Sequence, residues 1–221
     1  MNWVSRTLSS SVGCKVVMAV TGLALVGFLV GHLAGNLLVF GGPDAINGYA
    51  KGLRNFTPLL WIMRIGILAA FAAHIFSGIR LTALNQKARP VPYKVKKNVR
   101  ASFCSRYMGL SGLVVLGFVL YHLAHLTLKV THPQFAELDQ FDVYQMLLIS
   151  FKNPLLAGLY TVSVVLLMIH LNHGVSSLFQ TLGFHHRKYQ KLITLLGPSL
   201  SAILGLGFVS VPLAIFLGLI Q

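Results

Sequence analysis

The chain has 221 residues, of which 55% are hydrophobic and only 10% are charged, and its formal net charge is +14. A soluble domain carries about 25% charged residues, so this composition excludes an ordinary soluble domain and indicates an integral membrane protein. The basic residues cluster in short segments between apolar runs, which favours membrane topology over nucleic-acid binding. The length is that of one membrane domain, residues 1–221, without a separate soluble catalytic unit.

Five apolar segments are long enough to cross a bilayer, which takes about 20 residues. In chain order they are predicted at about 16–40, 59–84, 107–128, 154–178 and 192–220. Glycine and proline mark the connections, as at Gly41-Gly42-Pro43 and His132-Pro133. The predicted fold is therefore an all-α bundle of five transmembrane helices. A further short helix is expected at the outer surface, within residues 134–151.

The charged residues predict the orientation of the spans. Seven Lys or Arg residues lie between the second and third spans, and all four acids lie in the first and third connections. The positive-inside rule then puts the N-terminus on the cytoplasmic side of the cell inner membrane. Cys14 and Cys104 fall on that side, where thiols stay reduced, and the absence of Cys-x-x-Cys gives no support for a thiolate metal site.

Six of the nine histidines lie inside the first four predicted spans. They are His32, His74, His122, His125, His170 and His173. Histidine is costly within a membrane and indicates function there. A single one is most simply explained by a hydrogen bond between helices, but six in four consecutive spans require another explanation.

An internal repeat selects four of these histidines. The stretch Gly27 to Ala34 matches the stretch Gly117 to Ala124 in the pattern G-F-x-x-x-H-L-A, with an offset of 90 residues. In the second and fourth spans, the pattern H-x-x-x-G recurs with an offset of 96 residues. The selected residues are His32, His122, His74 and His170. A two-helix unit used twice is the simplest interpretation.

Depth in the membrane predicts how the four histidines pair. Each lies about two thirds of the way along its own helix, and successive helices are antiparallel, so His32 and His122 fall near the outer face. His74 and His170 fall near the cytoplasmic face, roughly 10–15 Å away along the bundle.

Two pairs at two levels predict two b-type haems, each with two axial histidines. Zinc sites need three or four ligands and di-iron sites need carboxylates, which the spans lack, whereas haem needs two imidazoles and an apolar slot. Small residues predicted to widen that slot, with close helix packing as the alternative, are Gly27, Gly31, Gly35, Gly78 and Gly174.

Haem propionates need cationic or hydrogen-bonding partners at the membrane edge. Candidates near the cytoplasmic face are Arg80, Lys15, Ser11 and Arg106. The alternative for the bases is simple snorkelling to the interface. His125 and His173 each follow a selected histidine by one helical turn, so both are candidates for propionate or quinone contacts and also alternative ligands.

The four span histidines, the stretch His170-Leu171-Asn172-His173-Gly174 and the following Ser177 to Gly183 resemble the dihaem cytochrome b anchor of succinate:quinone oxidoreductases, in its single-polypeptide, five-helix form. The resemblance covers nearly the whole chain. It implies a subunit of succinate dehydrogenase or fumarate reductase, linked to the tricarboxylic acid cycle, that exchanges electrons with menaquinone or ubiquinone. It also implies a flavoprotein and an iron–sulfur subunit on the cytoplasmic side. FAD, the iron–sulfur clusters and the dicarboxylate chemistry belong to those partners, and no catalytic residue is assigned here.

The resemblance also implies a quinone site at the outer end, predicted near Arg54, Trp61 and Arg64. Some family members carry an acid near that site and another in the fourth helix beside the ligand. Here Met168 and Ile169 precede His170, so a carboxylate proton path through the fourth helix has no support. The basic segment from 87 to 106 is a candidate docking surface for the partners, although membrane topology alone explains its charge.

Two other functions remain open at this point. One is a dihaem anchor of a different quinone-linked dehydrogenase. The other is a transporter or structural membrane protein whose histidines bind protons or join helices.

Overall fold

The computed structural model describes residues 2, 6–7, 9–88, 91, 94, 103–139, 141–184 and 186–221, and all regular elements in them are helical. The α-helices are α1 (Ser11–Leu37), α2 (Pro43–Asn55), α3 (Thr57–Ala88), α4 (Phe103–Arg106), α5 (Met108–His122), α6 (Val143–Phe151), α7 (Pro154–Thr181) and α8 (Gln190–Phe216). Short 3-10 turns cover Leu38–Gly41 and Pro133–Ala136, and α5 continues into a π-helical turn, Leu123–Thr127.

Five helical segments are long and apolar enough to cross a membrane, which confirms the predicted all-α, five-span fold. These segments are Ser11–Gly41, Thr57–Ala88, Met108–Thr127, Pro154–Thr181 and Gln190–Phe216. The first begins about five residues earlier than predicted, because the Ser10 hydroxyl accepts a hydrogen bond from the Gly13 N–H and caps α1. The fifth ends at Phe216 rather than near 220, and Gly218 follows it with a φ of +72°.

Two shorter helices close one end of the bundle, and we call this end the capped end. Sequence reasoning assigned no helix to Pro43–Asn55, which is α2, and placed the helix within 134–151 on the surface. A helix does lie within 134–151, at Val143–Phe151, and six of its nine residues are buried against the rest of the protein. Asn47 of α2 joins the two helices: its amide donates to Asp142 and its carbonyl accepts from the Tyr144 N–H. The buried cluster at this end comprises Val39, Ile46, Tyr144, Leu147, Leu148, Phe151, Tyr160, Val211, Ala214, Ile215 and Ile220.

The four histidine-bearing helices form a curved row. Helix α3 packs on α1, α1 packs on α7, and α7 packs on α5, while α8 lies behind α1 and α7. Helices α3 and α5, at the two ends of the row, are not among the closely packed pairs of the described residues. Side chains on alternate helices of the row therefore face one another across its inner side.

Helices α7 and α8 make the most extensive contact in the bundle, and glycines allow it. A Cβ at Gly197 would meet the Asn172 carbonyl oxygen and the Ser176 hydroxyl, and one at Gly205 would meet the Met168 side chain. The backbone of α7 cannot move aside as a flexible side chain can, so a substitution at Gly197 is expected to be tolerated less well than one at Gly205.

We expect Gly197→Ala to lower the stability of the protein by about 1–3 kcal/mol, because it overpacks the contact between α7 and α8. Thermal unfolding in detergent measures this effect. The matched control is Gly158→Ala on α7, where an added Cβ meets nothing within 4 Å. The control should gain as much as about 1 kcal/mol from helix propensity. Equal unfolding temperatures for the two variants would contradict this account of the packing.

Candidate functional site: two histidine pairs

The structure brings together the same histidines that the repeat and the depth argument pair. The rings of His32 on α1 and His122 on α5 have centroids 5.8 Å apart and planes at 86°. The rings of His74 on α3 and His170 on α7 have centroids 6.4 Å apart and planes at 69°. Each pair joins alternate helices of the curved row.

Both separations suit two imidazoles on opposite sides of one metal ion. A metal–imidazole bond of about 2 Å puts the two coordinating nitrogens about 4 Å apart and the ring centroids about 6 Å apart. The two pairs also lie at different levels. Thr21 and Ser111, which contact the rings of the second pair, precede His32 and His122 by eleven residues. At about 1.5 Å per residue, the levels are roughly 16 Å apart along the bundle.

We call His32 and His122 the capped-end pair. The phenylalanine of the repeated G-F-x-x-x-H pattern packs on the histidine one turn later in both copies. Phe28 stacks on His32 with centroids 5.3 Å apart, and Phe118 lies 5.9 Å from His122. The Nδ1 atom of His122 is buried without a hydrogen-bond partner in the described part of the chain. Buried polar nitrogens are rarely left unpaired, so this atom is expected to have a partner from outside the chain.

We call His74 and His170 the opposite-end pair, and hydrogen bonds define the tautomer of both rings. Nδ1 of His74 lies 3.2 Å from the Met18 carbonyl oxygen and 3.2 Å from the Thr21 hydroxyl. A carbonyl only accepts, so Nδ1 carries the proton. Nδ1 of His170 lies 3.2 Å from the Ser111 hydroxyl, whose own proton goes to the Met108 carbonyl. In both neutral rings Nε2 therefore keeps its lone pair for a metal.

His125 differs from the four paired histidines because the protein occupies both of its ring nitrogens. It is fully buried, with Nδ1 2.8 Å from the Tyr160 hydroxyl and Nε2 3.2 Å from the Ser150 hydroxyl. Ser150 donates its proton to the Met146 carbonyl, so it accepts from Nε2, and Nδ1 accepts from Tyr160. His125 thus has no lone pair left for iron and no free N–H for a propionate or quinone, which argues against all three predicted roles.

His173 is half-buried on α7, three residues after His170, and no ring contact joins it to another histidine in the described residues.

The glycines near the pairs divide into two kinds. A Cβ at Gly35 would meet the ring of Tyr49, which is the packing alternative. At Gly27, Gly31 and Gly174 an added Cβ meets nothing within 4 Å, and at Gly78 it meets only the Met18 methyl at 3.7 Å.

The basic residues predicted to bind propionates differ in their surroundings. Arg80 is half-buried, and its Nε and Nη2 donate to the Ser9 carbonyl at 3.2 and 3.0 Å, which brings Arg80 beside the start of α1 and near Ser11. Ser11, Lys15 and Arg106 are exposed. Arg80 is therefore held by the protein near the opposite-end pair, while the other three are free to reach the interface.

Two of the residues predicted for the quinone pocket, Arg54 and Arg64, lie over aromatic rings. The Arg54 guanidinium lies 5.0 Å from the ring centroid of Phe141, and that of Arg64 lies 5.3 Å from the ring centroid of Trp61. A nearby apolar cleft of about 340 Å³ lies between α2 and the start of α3. Its lining residues, none of them from the predicted set, are Tyr49, Gly52, Leu53, Phe56, Leu59, Leu60 and Met63.

Among the described residues, no three His, Cys, Asp or Glu side chains converge on a point where they would hold a metal ion. The histidines meet as pairs, which suits a prosthetic group that supplies the other ligands itself. No family model, curated protein or solved structure matches the chain. Support for any function therefore comes from the residues and from their geometry.

Proposed function

We propose that the chain is the membrane anchor and electron-transfer subunit of a succinate:quinone oxidoreductase, with two b-type haems between an iron–sulfur partner and membrane quinone. The observation that carries the proposal is the two histidine pairs, with ring centroids 5.8 and 6.4 Å apart, on four successive membrane-spanning helices. Two levels roughly 16 Å apart suit the transfer of electrons along the bundle. His32 and His122 are the proposed axial ligands of one haem, and His74 and His170 those of the other.

The residues present fit haem better than a metal held by the protein alone. The imidazoles of His74 and His170 keep Nε2 for a metal, and the Nδ1 atom of His122 is buried without a hydrogen-bond partner in the described part of the chain. A spanning acid or thiolate that would complete a zinc site is not found beside either pair in the described residues.

The chain's own side chains hold and orient the group. Thr21, Met18 and Ser111 fix the rings of the opposite-end pair, and Phe28 and Phe118 pack against those of the capped-end pair. The buried cluster of the capped end excludes water on that side. Bound haem would be held by these histidines and would supply one-electron chemistry.

The partners follow from the same proposal. The flavoprotein with FAD and the iron–sulfur subunit would bind on the cytoplasmic side of the inner membrane, at the end of the opposite-end pair. The capped end would then face outward and hold the quinone site. Most of the basic segment from 87 to 106 lies outside the described residues, so its docking role rests on charge alone.

We expect the purified protein to contain two protohaems per chain, as measured by the pyridine haemochrome assay. Complete absence of protohaem from intact, folded protein would overturn the proposal and favour the transporter or structural alternative. Co-purification of a flavoprotein, with haem reduction by succinate and reoxidation by a quinone analogue, supports the succinate-linked complex. Haem reduction by hydrogen or formate alone would assign the chain to another dehydrogenase.

A further inference from the structure

A hydroxyl residue followed by glycine precedes the capped-end ligand by the same distance in both halves of the chain. Thr21-Gly22 lies eleven and ten residues before His32, and Ser111-Gly112 lies eleven and ten residues before His122. This extends the repeated stretch by almost two helical turns toward the N-terminus of α1 and α5. The two histidine-containing patterns do not include this hydroxyl–glycine pair, and only the contacts in the structure show what the pair does.

Each of these hydroxyls contacts a ligand of the other level rather than the histidine on its own helix. Thr21 on α1 lies 3.2 Å from Nδ1 of His74 on α3, and Ser111 on α5 lies 3.2 Å from Nδ1 of His170 on α7. Thr21 donates its own proton to the Val17 carbonyl at 2.7 Å, as Ser111 donates to Met108. Both hydroxyl oxygens are therefore acceptors for the imidazole N–H.

The glycine that follows each hydroxyl leaves space for the same ring. A Cβ at Gly22 would lie 3.4 Å from Cε1 of His74, and one at Gly112 would lie 3.4 Å from Cε1 of His170. That is van der Waals contact, so each ring lies directly beside its glycine. The hydroxyl and the glycine together define where each imidazole lies.

We propose that Thr21-Gly22 and Ser111-Gly112 are duplicated positioning sites for the histidines of the opposite-end pair. This inference rests on the proposed function. The acceptor on Nδ1–H fixes the tautomer and makes the imidazole a stronger donor through Nε2. A stronger donor stabilises the oxidised iron, so these hydroxyls lower the reduction potential of the opposite-end haem.

The two sites differ in one respect. Nδ1 of His74 has a second acceptor, the Met18 carbonyl at 3.2 Å, so His74 keeps a hydrogen bond when the Thr21 hydroxyl is removed. For His170, Ser111 is the acceptor that the structure gives within the described residues. Loss of the Ser111 hydroxyl is therefore expected to have the larger effect.

The experiment compares Ser111→Ala with Ser111→Thr, and Thr21→Val with Thr21→Ser, in the full-length protein with its haems. We expect Ser111→Ala to raise the midpoint potential of one haem and to weaken the binding of that haem by about 10–100-fold. Ser111→Thr keeps the hydroxyl and should keep the wild-type potential and the wild-type haem content. Thr21→Val should shift the same haem in the same direction by a smaller amount. A redox titration followed by haem absorbance, with protohaem per chain as the second measurement, gives both values.

Two matched controls separate positioning from general packing. Ser201→Ala removes a hydroxyl that is equally buried and makes the same kind of bond, to the Pro198 carbonyl three residues earlier. Thr82→Val removes a hydroxyl of α3 that donates to the Gly78 carbonyl. Neither hydroxyl has a hydrogen bond to a histidine in the described part of the chain, and neither control should shift a haem potential.

The outcomes keep this inference distinct from the function on which it rests. Wild-type protein without protohaem would overturn both. Wild-type protein with two haems, together with Ser111→Ala potentials equal to those of Ser201→Ala, would overturn the positioning role alone. A shift that Ser111→Thr fails to rescue would also contradict it, because the threonine keeps the hydroxyl.

Discussion

Replacement of His122 by alanine is expected to remove one of the two haems, the one at the capped end, and to leave the other in place. His170→Ala is expected to remove the opposite-end haem instead. Each substitution removes one of the two imidazoles that would hold a haem. The remaining imidazole, whose centroid lies 5.8 or 6.4 Å from that of the deleted ring, can supply only one of the two ligands. Protohaem per chain should fall from two to one, and a redox titration should lose a different component in each variant.

His125→Ala and His173→Ala are the matched controls, since each lies one turn from a proposed ligand. Both variants are expected to contain two haems per folded chain. The two nitrogens of His125 are occupied by Tyr160 and Ser150, and the ring of His173 is half-buried and paired with no other histidine ring in the described residues. If these variants lost the haems while His122→Ala and His170→Ala kept them, the repeat would have selected the wrong member of each pair.

The sequence was sufficient for the number of spans and for the pairing of the histidines, and the physical reason is the same in both cases. Hydrophobic length defines a spanning helix locally, and an internal repeat relates distant residues without knowledge of the packing. The G-F-x-x-x-H-L-A pattern alone singles out His122 over His125, and the hydrogen bonds of His125 agree with that choice.

What could not be predicted depends on contacts between elements. Helix α2 is polar on one side and too short to be detected as a span, and its role is visible only from Asn47, which joins it to α6. The burial of α6 depends on which surfaces α2 and α8 present to it. Thr21-Gly22 and Ser111-Gly112 share the 90-residue offset of the repeat, but two small residues carry no recognisable chemistry until the ring they touch is known.

The second large effect is expected at His125, on stability rather than on haem. His125→Leu leaves the Tyr160 hydroxyl buried without its acceptor, because Nδ1 of His125 accepts that hydrogen bond at 2.8 Å. An unpaired buried donor costs about 1–3 kcal/mol. Ser150 is not orphaned in the same way, since its hydroxyl still donates to the Met146 carbonyl. Thermal unfolding in detergent should show a clear loss relative to wild type, and His173→Leu, at a half-buried position, should show a smaller one.

The double variant His125→Leu/Tyr160→Phe tests the cause of that loss. Tyr160→Phe alone removes the donor and leaves Nδ1 of His125 buried and unpaired, so it should destabilise the protein as well. In the double variant neither group remains, and its loss of stability should be smaller than the sum of the two single losses. Additive losses would mean that the two side chains stabilise the capped end independently. Tyr160 also packs against His122, with ring centroids 5.9 Å apart, so the same network stiffens the wall of the capped-end pair.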